Sequence, residues 1–111
     1  MANFFKSTTF DLTDTNLTTV LTIATSAVAI VRSVQASHES AGAVDVDLYL
    51  KKSGGSDVEI AHAELNKNSE NLAKNVINLE GGDILKIQAS TANEITGQIS
   101  YLLIDRSQEN G

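Results

Sequence analysis

Residues 43–51 alternate apolar and polar side chains without a break, and this constrains the fold more than any other feature. Val44, Val46, Leu48 and Leu50 share one parity; Asp45, Asp47, Tyr49 and Lys51 share the other. Successive side chains of an extended chain point to opposite faces, so the run is a strand with one core face and one wet face. Lys52-Ser53-Gly54-Gly55-Ser56 follows, where glycine takes a positive φ without steric cost, and it predicts a hairpin turn. On the returning run 57–66, pairing Leu50 with Val58 or with Ile60 sets Lys51 opposite Asp57 or Glu59. Either register puts opposite charges across the wet face, worth about 0.2–1 kcal/mol. The same parity count groups His62 with Val58 and Ile60, as a buried or interface histidine.

The remaining segments read the same way. Residues 17–23 and 28–37 are rich in β-branched side chains and give two strands. In the second, Val28, Ile30, Arg32 and Val34 alternate with Ala29, Val31, Ser33 and Gln35, and Arg32 and Gln35 mark where it reaches solvent or a neighbouring subunit. His38 falls in the polar connection 38–42, as a solvated loop residue. Residues 66–71 are turn-rich. Leu72, Val76 and Leu79 have helical spacing, but the poor helix formers 75–78 and the Gly81-Gly82-Asp83 turn favour a strand ending at Leu79. Residues 79–90 and 94–105 are extended runs joined by Thr91-Ala92-Asn93 and read as a C-terminal hairpin. Ile95, Ile99, Tyr101 and Leu103 make one apolar stripe of the last run, with Leu102 and Ile104 on its other side, which asks for a central position or a subunit interface.

About seven or eight short strands at near-regular spacing predict an all-β, antiparallel β-sandwich of jelly-roll kind. The sandwich spans 17–105, and 106–111 form a polar C-terminal tail. Residues 1–16 hold all three phenylalanines, Phe4, Phe5 and Phe10, and admit two readings: a first strand covering its own sandwich, or an arm that buries aromatics against a neighbour.

Composition then removes functions. A formal charge of −6 and a pI near 4.7 repel nucleic-acid phosphates. The chain has no cysteine, which excludes disulfides, thiolate zinc sites and a catalytic thiol. The longest uncharged run, 15–31, carries too many Thr, Ser and Asn residues for a membrane span, and Asp11 and Asp14 before it do not suit a secretory signal. Asp45, Asp47 and Glu59 share a wet face and could together meet a calcium ion, but alternating acids on a strand are ordinarily its solvated side, and no EF-hand loop is present. No nucleophile, oxyanion donor set or cofactor loop accompanies them, so no catalytic, cofactor or metal site is expected. Gly81-Gly82-Asp83 lacks the lysine and following helix of a phosphate loop and reads as a turn.

The ordered set of residues 30–37, 44–50, 60–62, 79–90 and 97–105, with its Gly-Gly-Asp turn, resembles small virion structural proteins of tailed bacteriophages, of the marine and cyanophage type. The resemblance covers about residues 17–105; at Ile23-Ala24-Thr25 the chain departs from the proline-containing turn of many relatives. It implies a non-enzymatic β-sandwich on a capsid, neck or tail, most concretely a capsid decoration or accessory protein. The implied partners are other virion proteins and further copies of the chain, a trimer among the forms; the implied place is the virion, after assembly in a bacterial cytoplasm. Phe4, Phe5, Phe10, Ile99, Tyr101 and Leu103 are the candidate interface residues. From another class, a carbohydrate-binding or host-adhesion sandwich stays open, although Tyr49 and Tyr101 are the only tyrosines and there is no tryptophan to stack on a sugar ring.

Overall fold

The computed structural model describes residues 2–106, all of it strand, turn and loop. Of the expected tail only Arg106 falls within the described residues. Nine strands run in the order β1 (Ala2–Leu12), β2 (Thr18–Thr22), β3 (Ala27–His38), β4 (Val44–Lys51), β5 (Asp57–Leu65), β6 (Ser69–Asn71), β7 (Ile77–Leu79), β8 (Ile84–Ala89) and β9 (Ile95–Asp105). One sheet has the order β1-β9-β3-β6, with the short β7 also on β3; the other has the order β2-β8-β4-β5. All pairings are antiparallel. This is the strand order of a jelly roll whose sixth strand is broken into β6 and β7.

The topology explains one departure from the sequence reading. Residues 79–90 and 94–105 do not form a hairpin: β8 pairs with β2 and β4, whereas β9 pairs with β1 and β3. In a jelly roll the chain behaves as one long ribbon closed at the β4–β5 turn and then rolled, so β8 and β9 face each other across the core. The corner at 90–94 needs Asn93 at φ 62°, a left-handed conformation asparagine tolerates. The β4–β5 hairpin forms as read, in the register that sets Leu50 opposite Val58 and Lys51 opposite Asp57. The strand ending at Leu79 also forms, with only three residues.

Three bulges reset the side-chain alternation. Arg32 on β3, Ile60 on β5 and Val20 on β2 are each an extra residue with no partner across the ladder. Before Arg32 the core side of β3 is Ala27, Ala29 and Val31; after it, Val34, Ala36 and His38. Leu12, Ile95 and Ile99 from the first sheet meet Val46, Leu48, Leu65, Leu85 and Ile87 from the second, all essentially without exposure. Gly97 on β9 lies opposite Phe10 on β1, and a Cβ there would overlap the Phe10 ring and the Gln35 carbonyl. The ring fills the space that the glycine leaves.

Candidate interaction surfaces

β1 is the edge of the first sheet and pairs with β9 along its full length, from Ala2 opposite Asp105 to Leu12 opposite Ile95. Residues 2–12 are thus the first strand of the sandwich, not a separate arm. The three phenylalanines have different surroundings along it. Phe10 is 9% exposed and belongs to the core, whereas Phe4 is 44% and Phe5 77% exposed. Ile99 is buried, and Tyr101 and Leu103 are half-buried against the core. The ladder sets Phe4 opposite Leu103 and Lys6 opposite Tyr101. Of the six candidate interface residues, Phe4, Tyr101 and Leu103 therefore gather on one face near the start of β1, and Phe5 points to the other. Phe10 and Ile99 are taken up by the chain's own core.

The Lys6 ammonium stands 5.6 Å from the centre of the Phe4 ring. On the outer face Phe5 borders a shallow hollow with Lys6 and Arg32. Neither cation makes an ion pair among the described residues. Arg32 is the cation on the Phe5 face of the sheet, while the Lys6 ammonium lies over Phe4 on the other face.

At the opposite edge, β5 bounds the second sheet. Val58 is 56% exposed, Ile60 40%, and Val76 on the connection before β7 61%. Ile60, Ala61, Leu72, Ala73, Val76 and Ile77 line a hollow of about 290 Å³ between β5 and that connection. Ile60, on the core side by parity, stands instead on the exposed wall of this hollow.

The acids of the wet face do gather, and a histidine joins them. The bulge at Ile60 turns His62 outward, opposite Asp47, so it is exposed and not on the apolar side. Its Nδ1 hydrogen-bonds the Asp47 carboxylate, and its Nε2 lies 3.9 Å from Asp45. Asp47, Glu59 and His62 bring one ligand atom each to within 4.8 Å of one another, so these three could hold a cation. The hydrogen bond to Asp47 raises the His62 pKa above the ordinary imidazole value; loss of hydration opposes this, and the charges of Asp47, Asp45 and Glu59 add to it. Glu59 is pushed up too, first by its hydrogen bond to Asp47 and then by that neighbour's charge.

Two buried polar groups escaped the sequence reading. His38 is not in a loop: it ends β3, buried, with Nε2 2.8 Å from the Gly42 carbonyl and Nδ1 3.2 Å from that of Glu94. Asp83, read only as a turn residue, is buried and accepts hydrogen bonds from the Glu80 amide at 2.8 Å, the Ser53 amide at 3.1 Å and the Lys52 ammonium. Burial works to raise its pKa, but Lys52 and the two amides outweigh it and hold the carboxyl below the usual carboxylate range. The Gly81-Gly82-Asp83 turn is thereby clamped to the β4–β5 turn. Tyr49 and Tyr101 lie on different sheets and form no common stacking platform.

No protein-family model matches the chain, and no curated protein matches it in sequence. Among solved structures it is similar to a chain from the acidic stable capsid structure of Helicobacter pylori bacteriophage KHP30, with TM-score 0.60 at 12% identity over 96% of this chain and 90% of that one. It is also similar to a chain of the Bacillus endospore appendages, described as disulfide-linked pili, with TM-score 0.51 at 12% identity over 91% and 85% of the two chains. A match to a Clostridium thermocellum xylanase with a CBM22-1 module reaches only TM-score 0.47 over 18% of that chain and carries no argument. At such identities the likeness establishes the fold.

Proposed function

We propose that this chain is a non-enzymatic structural component of a virion, and concretely a decoration or accessory protein seated on a bacteriophage capsid. The observation that supports this reading is the end-to-end match to a chain from a phage capsid structure, over 96% of this chain and 90% of that one. Both similar chains are named for the assemblies they come from, a capsid and a pilus. The surface supports the same reading. Among the described residues, the exposed large apolar side chains sit on the edge strands β1 and β5 and on the connection before β7, where an assembly subunit can meet neighbours. Other virion proteins and further copies of the chain, as in a trimer, are the proposed partners.

The test is mass spectrometry of particles banded on a density gradient, from the phage whose genome encodes the chain. The expected result is stoichiometric recovery in the particle band at many copies per particle. Recovery only among soluble lysate proteins would overturn the reading.

A further inference from the structure

The bulge at Ile60 builds a donor set that a regular strand cannot. Glu59 and His62 are three positions apart, so on an unbroken β5 they would point to opposite faces. With Ile60 as the extra residue, Glu59 lies opposite Tyr49 and His62 opposite Asp47, and both stand on the wet face. Bulges beside functional sites re-aim side chains in this way. The imidazole and the two carboxylates come from strands already paired, so their backbones are in place before any ligand arrives. Among the described residues neither Asp47 nor Glu59 pairs with a lysine or arginine, and Lys86, beside Tyr49 on the same face, is engaged with Asp57 at 3.0 Å. Glu59 and Asp47 share a hydrogen bond, and two carboxylates in contact need a positive charge between them, a proton or a cation.

We propose that Asp47, Glu59 and His62 form a site for one divalent transition-metal ion such as zinc, with one oxygen of each carboxylate and His62 Nδ1, the nitrogen that faces Asp47, as its ligands. The three ligand atoms lie within 4.8 Å of one another, and the atoms bonded to a tetrahedral zinc stand roughly 3.3 Å apart. Glu59 and His62 are exposed, so a rotamer adjustment closes the difference. Asp45, 3.9 Å from Nε2 on the other side of the ring, is placed to orient the imidazole. A fourth position stays open to solvent, as in zinc sites with three protein ligands.

The donor chemistry selects the class of ion. An imidazole nitrogen suits zinc, copper, iron or nickel, whereas calcium takes oxygen ligands and gains nothing from His62. The alternation of the sequence set His62 on the apolar side and left the acids of this face without a nitrogen donor; the bulge supplies it. The proposal does not rest on the virion reading, since it concerns the isolated chain.

The test is calorimetric titration of the untagged, chelator-treated protein with zinc chloride at neutral pH. Of the two histidines only His62 is exposed, so histidine-dependent binding reports on this site. The expected result is one zinc per chain, bound more tightly than calcium, with NMR signals of the His62 ring shifted and those of His38 unmoved. Asp45→Asn should weaken binding about tenfold, and loss of a ligand in Asp47→Asn, Glu59→Gln or His62→Gln should weaken it further. Glu64→Gln, opposite Asp45, removes a like charge but no ligand and should leave binding nearly unchanged. Circular dichroism melts confirm that each variant folds. The inference is overturned if zinc does not bind, if calcium binds as tightly, or if His62→Gln binds like the unaltered chain. It is equally overturned if Glu64→Gln weakens binding as much as Glu59→Gln, the mark of diffuse attraction to acids.

Discussion

Phe10 and Phe5 lie on the same strand, five residues apart, and the structure assigns them opposite energetic roles. Phe10 closes the core edge over Gly97 and is nearly covered; Phe5 has most of its ring in water. Truncating a buried phenylalanine to alanine costs about 3–5 kcal/mol, through lost transfer free energy and the cavity left behind. Phe10 is on an edge strand and keeps 9% exposure, so the lower end applies, about 3 kcal/mol. For a domain of this size that lowers Tm by roughly 10–20 °C. Phe5→Ala removes no buried contact within the chain and should stay within about 0.5 kcal/mol. Thermal melts followed by far-ultraviolet circular dichroism, repeated in urea at a dilution where copies do not associate, measure both. Equal destabilisation by the two substitutions would refute the exposure assigned to Phe5. A neutral Phe10→Ala would refute the assignment of Phe10 to the core and return residues 2–12 to the role of a detachable arm.

Gly97→Ala should destabilise by about 1–3 kcal/mol, since the new methyl group overlaps the Phe10 ring and the Gln35 carbonyl, and Phe10→Ala made together with it should recover part of that loss. Asp83→Ala should cost about 2–4 kcal/mol in a urea titration, because the Glu80 and Ser53 amides lose a buried acceptor; half-exposed Lys52 adds the least. Since the folded pKa of Asp83 is depressed, its contribution is fully present above the unfolded value of about 3.9 and fades as pH falls through the folded one; Asp83→Asn should flatten that acid limb. The His62 imidazole, followed by NMR, should titrate above its ordinary value and move back toward it in Asp47→Asn.

Alternation and turn chemistry made much of this fold legible in the sequence. Val44, Val46, Leu48 and Leu50 identify the inner face of β4, and Lys52-Ser53-Gly54-Gly55-Ser56 closes the β4–β5 hairpin in one of the two registers that the pattern allowed. The bulges escaped, because Arg32 and Ile60 look like any other residue in an extended run, yet each moves every later side chain to the opposite face. That is why His62 was expected on the apolar side and stands in water beside Asp47, and why the exposure of Ile60 was missed. Partner choice also escaped. Local pattern can say that 84–89 and 95–105 are strands, but which strands lie beside them follows from the rolling of the ribbon, a long-range property. Asp83 looked like a turn acid because two of its partners, Lys52 and Ser53, lie some thirty residues away in the sequence. Of the candidate interface, the apolar character of Phe4, Phe5, Tyr101 and Leu103 was readable, while the division between core and surface needed the register.

The proposal of a capsid role is tested most directly by where the chain sits on an intact particle. Negative-stain microscopy with a gold-labelled antibody raised against the folded protein makes that measurement on virions of the encoding phage. A decoration or accessory protein should give label spread over the capsid shell. Label confined to the neck or tail, or none on particles that carry label for a known capsid protein, would contradict it.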